Sequence, residues 1–439
     1  MGIIIGAQAN GKQSRADLHI NQYRLFCSKV GYRLVMLVAL VFMVGCIFIP
    51  FFASSVGVLL VGEILCGIPW GVFTTVGAGY SSEVCPLVLR GYLMSYINLS
   101  FLIGQFISAG VLDGLVHVQS EWSYRIPFAV QWIWPVPLFC FLLFAPESPW
   151  WLVRNGKLEE AERSVRRLSS KTIHEAKEAV AMMIHTTNYE KEIQSGTTYL
   201  DCFKGINLRR TEIACVVFVG QVTCGIVFAN SATYFFEQAG ISPSDAYKVN
   251  LGSAGLGFIA TILGTSAMTA YGRRNLYVAG QCFMTLILFV IGFLALPSPS
   301  SGIRWAQVAL TLVWVFTYQA TTGPVAYAIS SEISAVRLRV KTVCLAKNTH
   351  NITNIIAGVI EPYMINPTEG NWKGKTSFFW AGNAALTSLW AFYRVPETKG
   401  RTYEELDILF ASKVSARNFK GCAVDAYAQE GNEKTTTET

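Results

Sequence analysis

Charged and amide side chains stand at regular positions inside or beside stretches of this chain that are otherwise apolar, and any chemistry must come from them. Glu63 sits in VGVLLVGEILCGIPWG, and Lys347 and His350 sit in AKNTHN. A charge at hydrocarbon depth costs at least about 2.5 kcal/mol on insertion scales, so an intramembrane carboxylate is a functional candidate by default. Glu63 is therefore a candidate proton carrier, with Lys347 as the matching basic group. The plainer readings are a structural hydrogen bond for Glu63 and snorkelling to the interface for Lys347. A second set is charged and spaced: Glu83 precedes Arg90 by seven residues, Glu332 precedes Arg339 by seven, and Glu147, Arg273 and Glu397 occupy PESPWW, GRR and PETKGR. Carboxylate–guanidinium pairs at half-buried helix ends are directional and stronger than surface pairs; simple anchoring at the headgroups is the alternative. The third set is neutral. Asn98 and Gln105 are seven apart and share a helix face, and His350 and Asn354 are four apart. Gln221 and Asn230 are nine apart and face alike only if their helix is broken, which Gly220 and Gly225 would permit. Pro324 would kink the segment that carries Tyr327. Buried amides are costly without partners, and packing between helices is the bland reading for each.

The elements that position these groups follow from composition. Of 439 residues, 52% are hydrophobic and 14% charged, against roughly a quarter charged in soluble domains. The solvent for most of this chain is therefore lipid. About 20 apolar residues cross a bilayer core, and ten such runs occur, at 34–53, 56–79, 92–116, 126–145, 212–236, 249–270, 275–296, 305–330, 341–361 and 376–393. They are continuous and too long for barrel strands, and backbone satisfaction in lipid then leaves helices. The expected class is all-α and multi-pass. Most of the eleven cysteines (Cys46, Cys66, Cys140, Cys224 and Cys344 among them) lie inside the spans without paired spacing and read as small packing residues. No His/Cys cluster, serine elbow or Walker sequence supports an enzyme. LGSAGLGF at 251–258 lies within a span, where close helix packing explains its glycines. The sequons at Asn98 and Asn351 are intramembrane and not expected to be modified.

The net charge of +7 is distributed by side. Arg33, Arg90, the 150–210 segment, Arg273, Arg274, Arg337, Arg339 and the tail from Arg394 share one side, and five isolated basic residues lie on the other. Basic loops mark the cytoplasm, so the central loop and the C-terminus are expected there, and no nucleic-acid patch is implied. Residues 150–210 are polar with apolar residues at helical spacing (Leu152, Leu158, Ala161, Val165, Leu168) and read as short amphipathic linker helices. The two halves echo one another: PESPWW and PETKGR are 250 apart, Glu83 and Glu332 are 249 apart, and GYR at 31–33 and GRR at 272–274 are 241 apart. A parallel repeat of two helical bundles is one way transporters are built. The expected divisions are 1–32, a degraded N-terminal segment; 33–149, an incomplete first bundle; 150–210, the linker; 211–395, the second bundle; and 396–439, a cytoplasmic tail. The second half has two spans before Gly272, and the first half has only the apolar residues 3–9 before Gly31. The first span is thus read as missing and the second as disrupted, with residues 12–29 as intervening sequence, translated in error or from a retained intron, in a gene model lacking its true start.

PESPWWLVRNGKLEEAERSVRRL, Glu83 with Arg90-Gly91, the GRR motif and PETKGRTYEELD together resemble the sugar porter family of the major facilitator superfamily. GEILCGIPWG, TYFFEQAG and DILFASKVSAR are most similar to fungal α-glucoside (maltose-type) permeases, and the likeness covers about residues 29–420. The resemblance implies two six-helix bundles rocking about a central sugar site, with proton symport in active members of that branch and no other cofactor. It implies a cytoplasmic gate of Glu83, Arg90, Glu147, Arg273, Glu332, Arg339 and Glu397 that holds the outward-open state. It implies sugar contacts from Asn98, Gln105, Gln221, Asn230, Tyr327, His350 and Asn354, and proton coupling through Glu63 and Lys347. Sugar porters place an aspartate where Ser28 stands, so the first-half gate departs from the family pattern. The implied protein is a monomeric plasma-membrane sugar transporter. A hexose or polyol carrier, a sugar sensor and a transport-inactive relic are the rival readings.

Overall fold

The computed structural model describes residues 30–422 except 86, 116, 119, 170–171, 195–197, 233–235, 237–241, 297–299, 367, 402 and 420, with residues 87–99 described by their backbone course alone. The expectations for residues 3–29, Ser28 included, lie outside the described residues. Among those described, every regular element is helical. The chain divides into two units, one of residues 1–100 with 114–195 and one of residues 101–113 with 196–439. The division falls at 195, within the expected linker, because the linker helices pack with the first unit.

In the first unit, α1 (Tyr32–Phe51) and α2 (Val56–Val84) pack through Val35 and Ala39 against Val72 and Val76, and through Met43, Cys46 and Ile47 against Cys66. α3 spans Leu87–Leu115. α4 (Trp122–Val130) and α5 (Pro135–Phe144) form one span joined by a 3-10 turn, placed where Pro135 has no N–H to continue the ladder. The linker carries α6 (Pro149–Arg154), α7 (Leu158–Leu168) and α8 (Ile173–Gln194). Their core is Trp151, Leu152, Val153, Ala161, Val165, Ala176, Ala179 and Val180. Leu158 and Leu168 were expected on the apolar face but are 41% and 36% exposed. They stand at the two ends of α7 and outside its buried core.

The second unit holds α9 (Gly205–Gln221), α10 (Val227–Asn230), α11 (Pro243–Tyr271), α12 (Arg273–Leu294), α13 (Ser301–Ala320), α14 (Thr322–Ile333), α15 (Arg339–Ile365), α16 (Thr376–Arg394) and α17 (Tyr403–Ala411). Residues 101–113 group with it. A Cβ added at Gly255 or Gly257 of α11 would meet Phe106 and Leu102 at ordinary van der Waals distance, and one at Gly252 would meet nothing, so the close packing expected of LGSAGLGF does not account for its glycines. The described residues of all ten apolar runs lie largely on helix. Six helical spans meet the length and apolarity of a crossing segment by themselves; the other four expected runs fall on α3, α13 with α14, α15 and α16. These four carry more hydroxyls, amides and charges. Large apolar side chains such as Val41, Phe141, Phe144, Leu286 and Leu389 are more than half exposed. That pattern fits a lipid solvent, since apolar bands of this size would drive association in water.

Two helix breaks matter for the site. The helix carrying Gln221 is interrupted at Gly225, which adopts φ 96° and ψ 25° inside a π-turn of residues 222–226. This is the break that Gly220 and Gly225 were expected to permit, and it needs glycine because side chains are strained at positive φ. The second break separates α13 from α14 at Thr321, at φ −125° and ψ −85°; three residues on, Pro324 cannot donate to the Ala320 carbonyl. Thr321 is accommodated by Gly280 of α12, where an added Cβ would overlap the threonine side chain. Gly280→Ala is expected to cost about 1–3 kcal/mol by overpacking, read as a lower melting temperature in detergent. Thr321→Ala added to it should restore only part of the loss, because the Cβ of residue 321 itself lies 2.6 Å from the added one.

Candidate functional site

One end of each unit carries the same hydrogen-bonded latch. In the second unit, Glu397 accepts from the backbone N–H groups of Arg273 (2.9 Å) and Arg274 (3.2 Å), the first residues of α12, and from Thr398 and Lys399 (both 3.1 Å). Helix N-termini leave amide donors unpaired, and a carboxylate there meets both that need and the helix dipole. Gly272 at φ 87° lets the carboxylate come this close, since a Cβ would lie 2.5 Å from Glu397 Oε2. The Arg273 guanidinium donates to Glu332 Oε1 at 3.1 and 2.9 Å, and Thr398 Oγ1 donates to Glu332 Oε2 at 2.5 Å. Arg274 runs the other way, giving Nε to Val395 O and Nη2 to Phe392 O, both at 2.9 Å, at the C-terminal end of α16.

The first unit repeats this with one exchange. Glu147 accepts from the backbone N–H groups of Tyr32 and Arg33 (both 3.1 Å) and of Ser148 (3.0 Å), with Gly31 at φ 94°. Arg33 donates Nε to Leu142 O at 2.9 Å and Nη2 to Leu143 O. Glu83 takes the place of Glu332 and accepts from Ser148 Oγ. Where Arg273 stands in the second unit, the first has Tyr32, whose hydroxyl donates to Glu83 at 3.2 Å. The missing cation is supplied by Arg154 of α6, 2.7 Å from Glu83 Oε1. Burial pushes the Glu147 carboxyl above the ordinary carboxylate range, against the pull of the backbone amides and Arg33. The folded chain thus holds this proton more tightly than the unfolded one. That contribution to stability is full below the ordinary carboxylate pKa and is lost as pH rises through the raised one. Glu147→Gln is expected to flatten this part of the stability profile in thermal melts run across the acid-to-neutral range.

The second unit also gathers a polar and aromatic cluster at mid-helix positions. Tyr327 of α14, 50% exposed, sets its ring edge-on to Phe218 of α9 at 4.9 Å. Lys347 of α15 donates from Nζ to the Tyr327 hydroxyl at 2.8 Å and lies 5.1 and 5.5 Å from the Tyr327 and Phe218 ring centres. Such placement holds a cation by π-face attraction as well as by hydrogen bonding. His350, one turn on, sets Nδ1 3.2 Å from Phe218 O. Gln221 is buried and donates Nε2 to Gly323 O at 2.7 Å, beside the α13–α14 break.

A family model described as Sugar (and other) transporter matches residues 24–410. The chain belongs to this family. Its relatives include the maltose permease MAL31 of Saccharomyces cerevisiae, 40% identical over 406 residues, covering 91% of this chain and 66% of that one. The α-glucosides permease MPH2 of the same species is 40% identical over 415 residues, covering 93% of this chain and 68% of that one. The chain thus spans about two thirds of the length of these relatives. Among solved structures, the proton:xylose symporter XylE bound to 6-bromo-6-deoxy-D-glucose gives a TM-score of 0.69 at 23% identity, covering 93% of this chain and 87% of that one. The inward-open xylose transporter XylE from E. coli gives 0.68 at the same identity and coverage. At that identity the likeness establishes the fold, which is the all-α, multi-pass major facilitator fold. The expected family and its α-glucoside branch are borne out, as is the expectation of a transporter-family protein and no enzyme.

Within this sugar transporter fold, the predicted site residues are distributed as follows. Glu147, Arg273, Glu332 and Glu397 meet in the latches, and Glu83 joins the first. The pairing read from the seven-residue spacing needs correction: Glu332 bonds Arg273 and Thr398, where the spacing pointed to Arg339. α14 ends at Ile333, and a 3-10 turn (Val336–Leu338) separates Glu332 from Arg339, which opens α15. Glu83 likewise bonds Arg154, Tyr32 and Ser148, and the side chain of Arg90 lies outside the described residues. Tyr327, Lys347, His350 and Gln221 fall in one neighbourhood. Asn230 and Asn354 are exposed, Asn230 beyond the Gly225 break, and neither shares in that cluster. Gln221 and Asn230 therefore still face differently despite the break. Gln105 is exposed on α3, and the Asn98 side chain lies outside the described residues. Glu63 is exposed on α2, with no hydrogen bond or ion pair among the described residues. Sequence reasoning missed Phe218, Tyr32, Arg154, Ser148 and Thr398. Ser148 and Thr398 were findable, because they follow Glu147 and Glu397 at the same 250-residue offset. Arg154 has no such signal.

Proposed function

We propose that this chain carries an α-glucoside such as maltose across the plasma membrane together with protons, by alternating access. The observation that carries the reading is the Phe218, Tyr327, Lys347 and His350 cluster. The exposed Tyr327 ring, backed by the buried Phe218, suits the C–H surface of a pyranose, and the phenol, ammonium and imidazole beside it suit its hydroxyls. Named maltose and α-glucosides permeases among the relatives favour that substrate class. The two latches, on the side the basic loops assign to the cytoplasm, would hold one end of each bundle closed and part when it opens inward. Glu63, a carboxylate without a partner among the described residues, is proposed as the proton carrier in the first bundle. The C-terminal tail and the linker helices are proposed to face the cytoplasm.

The test is uptake of radiolabelled maltose by yeast lacking its own permeases, at acidic and at neutral external pH. Uptake faster at acidic pH is expected. In Glu63→Gln the pH dependence should vanish and uphill accumulation with it, while exchange of labelled for unlabelled sugar persists. Glucose uptake without maltose uptake would replace the α-glucoside reading with a hexose carrier.

A further inference from the structure

An open cavity of about 730 Å³ lies in the second unit where α9 begins, α16 ends and the turn after α17 passes by. Its walls include Ile206, Arg209, Tyr393, Arg394, Phe410 and Lys413. The three cations differ in how they are engaged. Arg394 is paired with Glu212, Nε to Oε1 at 3.0 Å. Arg209 gives Nη1 to Val414 O at 2.9 Å and lies 5.4 Å from the Phe410 ring centre, while its Nε is buried and makes no hydrogen bond among the described residues. Lys413 is exposed at the mouth, on a turn residue at φ 52°, and its ammonium makes no hydrogen bond or ion pair among the described residues. A fourth cation, Arg417, sits 4.6 Å from the Tyr393 ring centre at the rim. Against these, Glu212 contributes one negative charge that Arg394 already balances. The cavity is therefore strongly positive, with unspent donors and an apolar wall of Ile206, Tyr393 and Phe410. It lies at the N-terminal end of α9 and the C-terminal end of α16.

We infer that this cavity binds a phosphate group, carried by the headgroup of an anionic phospholipid or free in solution. Guanidinium and ammonium donors meet a phosphate with charge-assisted hydrogen bonds. Basic pockets at the cytoplasmic ends of membrane helices take phosphorylated headgroups in the same way. The apolar wall gives a glycerol backbone or acyl start a place to lie. Placing the cavity at the inner leaflet, where anionic lipids concentrate, rests on the proposed topology; the phosphate chemistry does not.

The test uses the purified full chain in neutral detergent, without sugar, titrated with dioctanoyl phosphatidylinositol 4-phosphate, dioctanoyl phosphatidylcholine or inorganic phosphate. Binding is followed by native mass spectrometry and by the shift in melting temperature. The phosphoinositide is expected to bind more tightly than phosphatidylcholine. Lys413→Gln should weaken it about fivefold, and Arg209→Gln with Lys413→Gln roughly thirtyfold. Inorganic phosphate binding with the same losses would assign the site to free phosphate, with the inference intact. Affinities unchanged by Lys413→Gln and by the double variant, or phosphatidylcholine bound as tightly as the phosphoinositide, would overturn it. The Lys413 side chain is exposed and bonded to nothing described, so its variant should fold normally. No transport is measured, so this result and the sugar-uptake result fail independently.

Discussion

Glu397→Ala is expected to remove about 3 kcal/mol of stability from the second unit and to abolish net uptake. The carboxylate holds four backbone donors, two of them the opening amides of α12. Hydrogen bonds to a charged group contribute about 1.5–3 kcal/mol each, and a buried donor left alone costs its desolvation as well. Water reaches part of this site and offsets some of that sum, which is why the expected loss is about 3 kcal/mol and not the full total. Glu397→Gln keeps one acceptor oxygen and should cost less. The distinction is readable in detergent melts, because Glu332 and Arg273 are intact in both variants. If the latch is only a scaffold, the Gln variant will transport normally once folded. If it forms and breaks in each cycle, the Gln variant will fold and yet show altered turnover.

Lys347→Gln is expected to lower maltose uptake by roughly tenfold to a hundredfold. A charge-assisted hydrogen bond is worth about 1.5–3 kcal/mol, and each 1.36 kcal/mol is tenfold in rate or affinity. Lys347 makes that bond to Tyr327 and also lies over two aromatic rings, so its loss frees both the phenol and the ring geometry. Tyr327→Phe should be milder, since the ring and its contact with Phe218 remain. A larger effect of Tyr327→Phe than of Lys347→Gln would show that the phenol acts alone.

Sequence was enough for the helices and for the latch carboxylates with Arg273, and it fell short on the other latch residues and on the pairing. Ten continuous apolar runs specify helices because lipid allows an unpaired backbone no other solution. The repeat located Glu147 and Glu397, which sit beside the helix starts of α1 and α12, and Glu332, which sits at the end of α14. Spacing along one chain suggested Glu332 with Arg339, yet the actual partner, Arg273, comes from a neighbouring helix. Sequence distance carries no information about which helices lie side by side. The same limit hid Arg154, which answers the Tyr32 substitution from α6. It also hid Phe218, one apolar residue among many in a span, whose role depends on Tyr327 and Lys347 of two other helices. The break at Gly225 was legible because glycine is the residue that tolerates it, whereas the burial of Gln221 against Gly323 depends on a second break at Thr321.

The most direct test of the whole account is maltose transport by the purified chain in proteoliposomes with an imposed proton gradient, followed by an internal pH dye and by labelled sugar together. Inward protons are expected to drive maltose above its external concentration, and a maltose gradient alone is expected to move protons with it. Maltose that only equilibrates, or proton movement that ignores maltose, would contradict it.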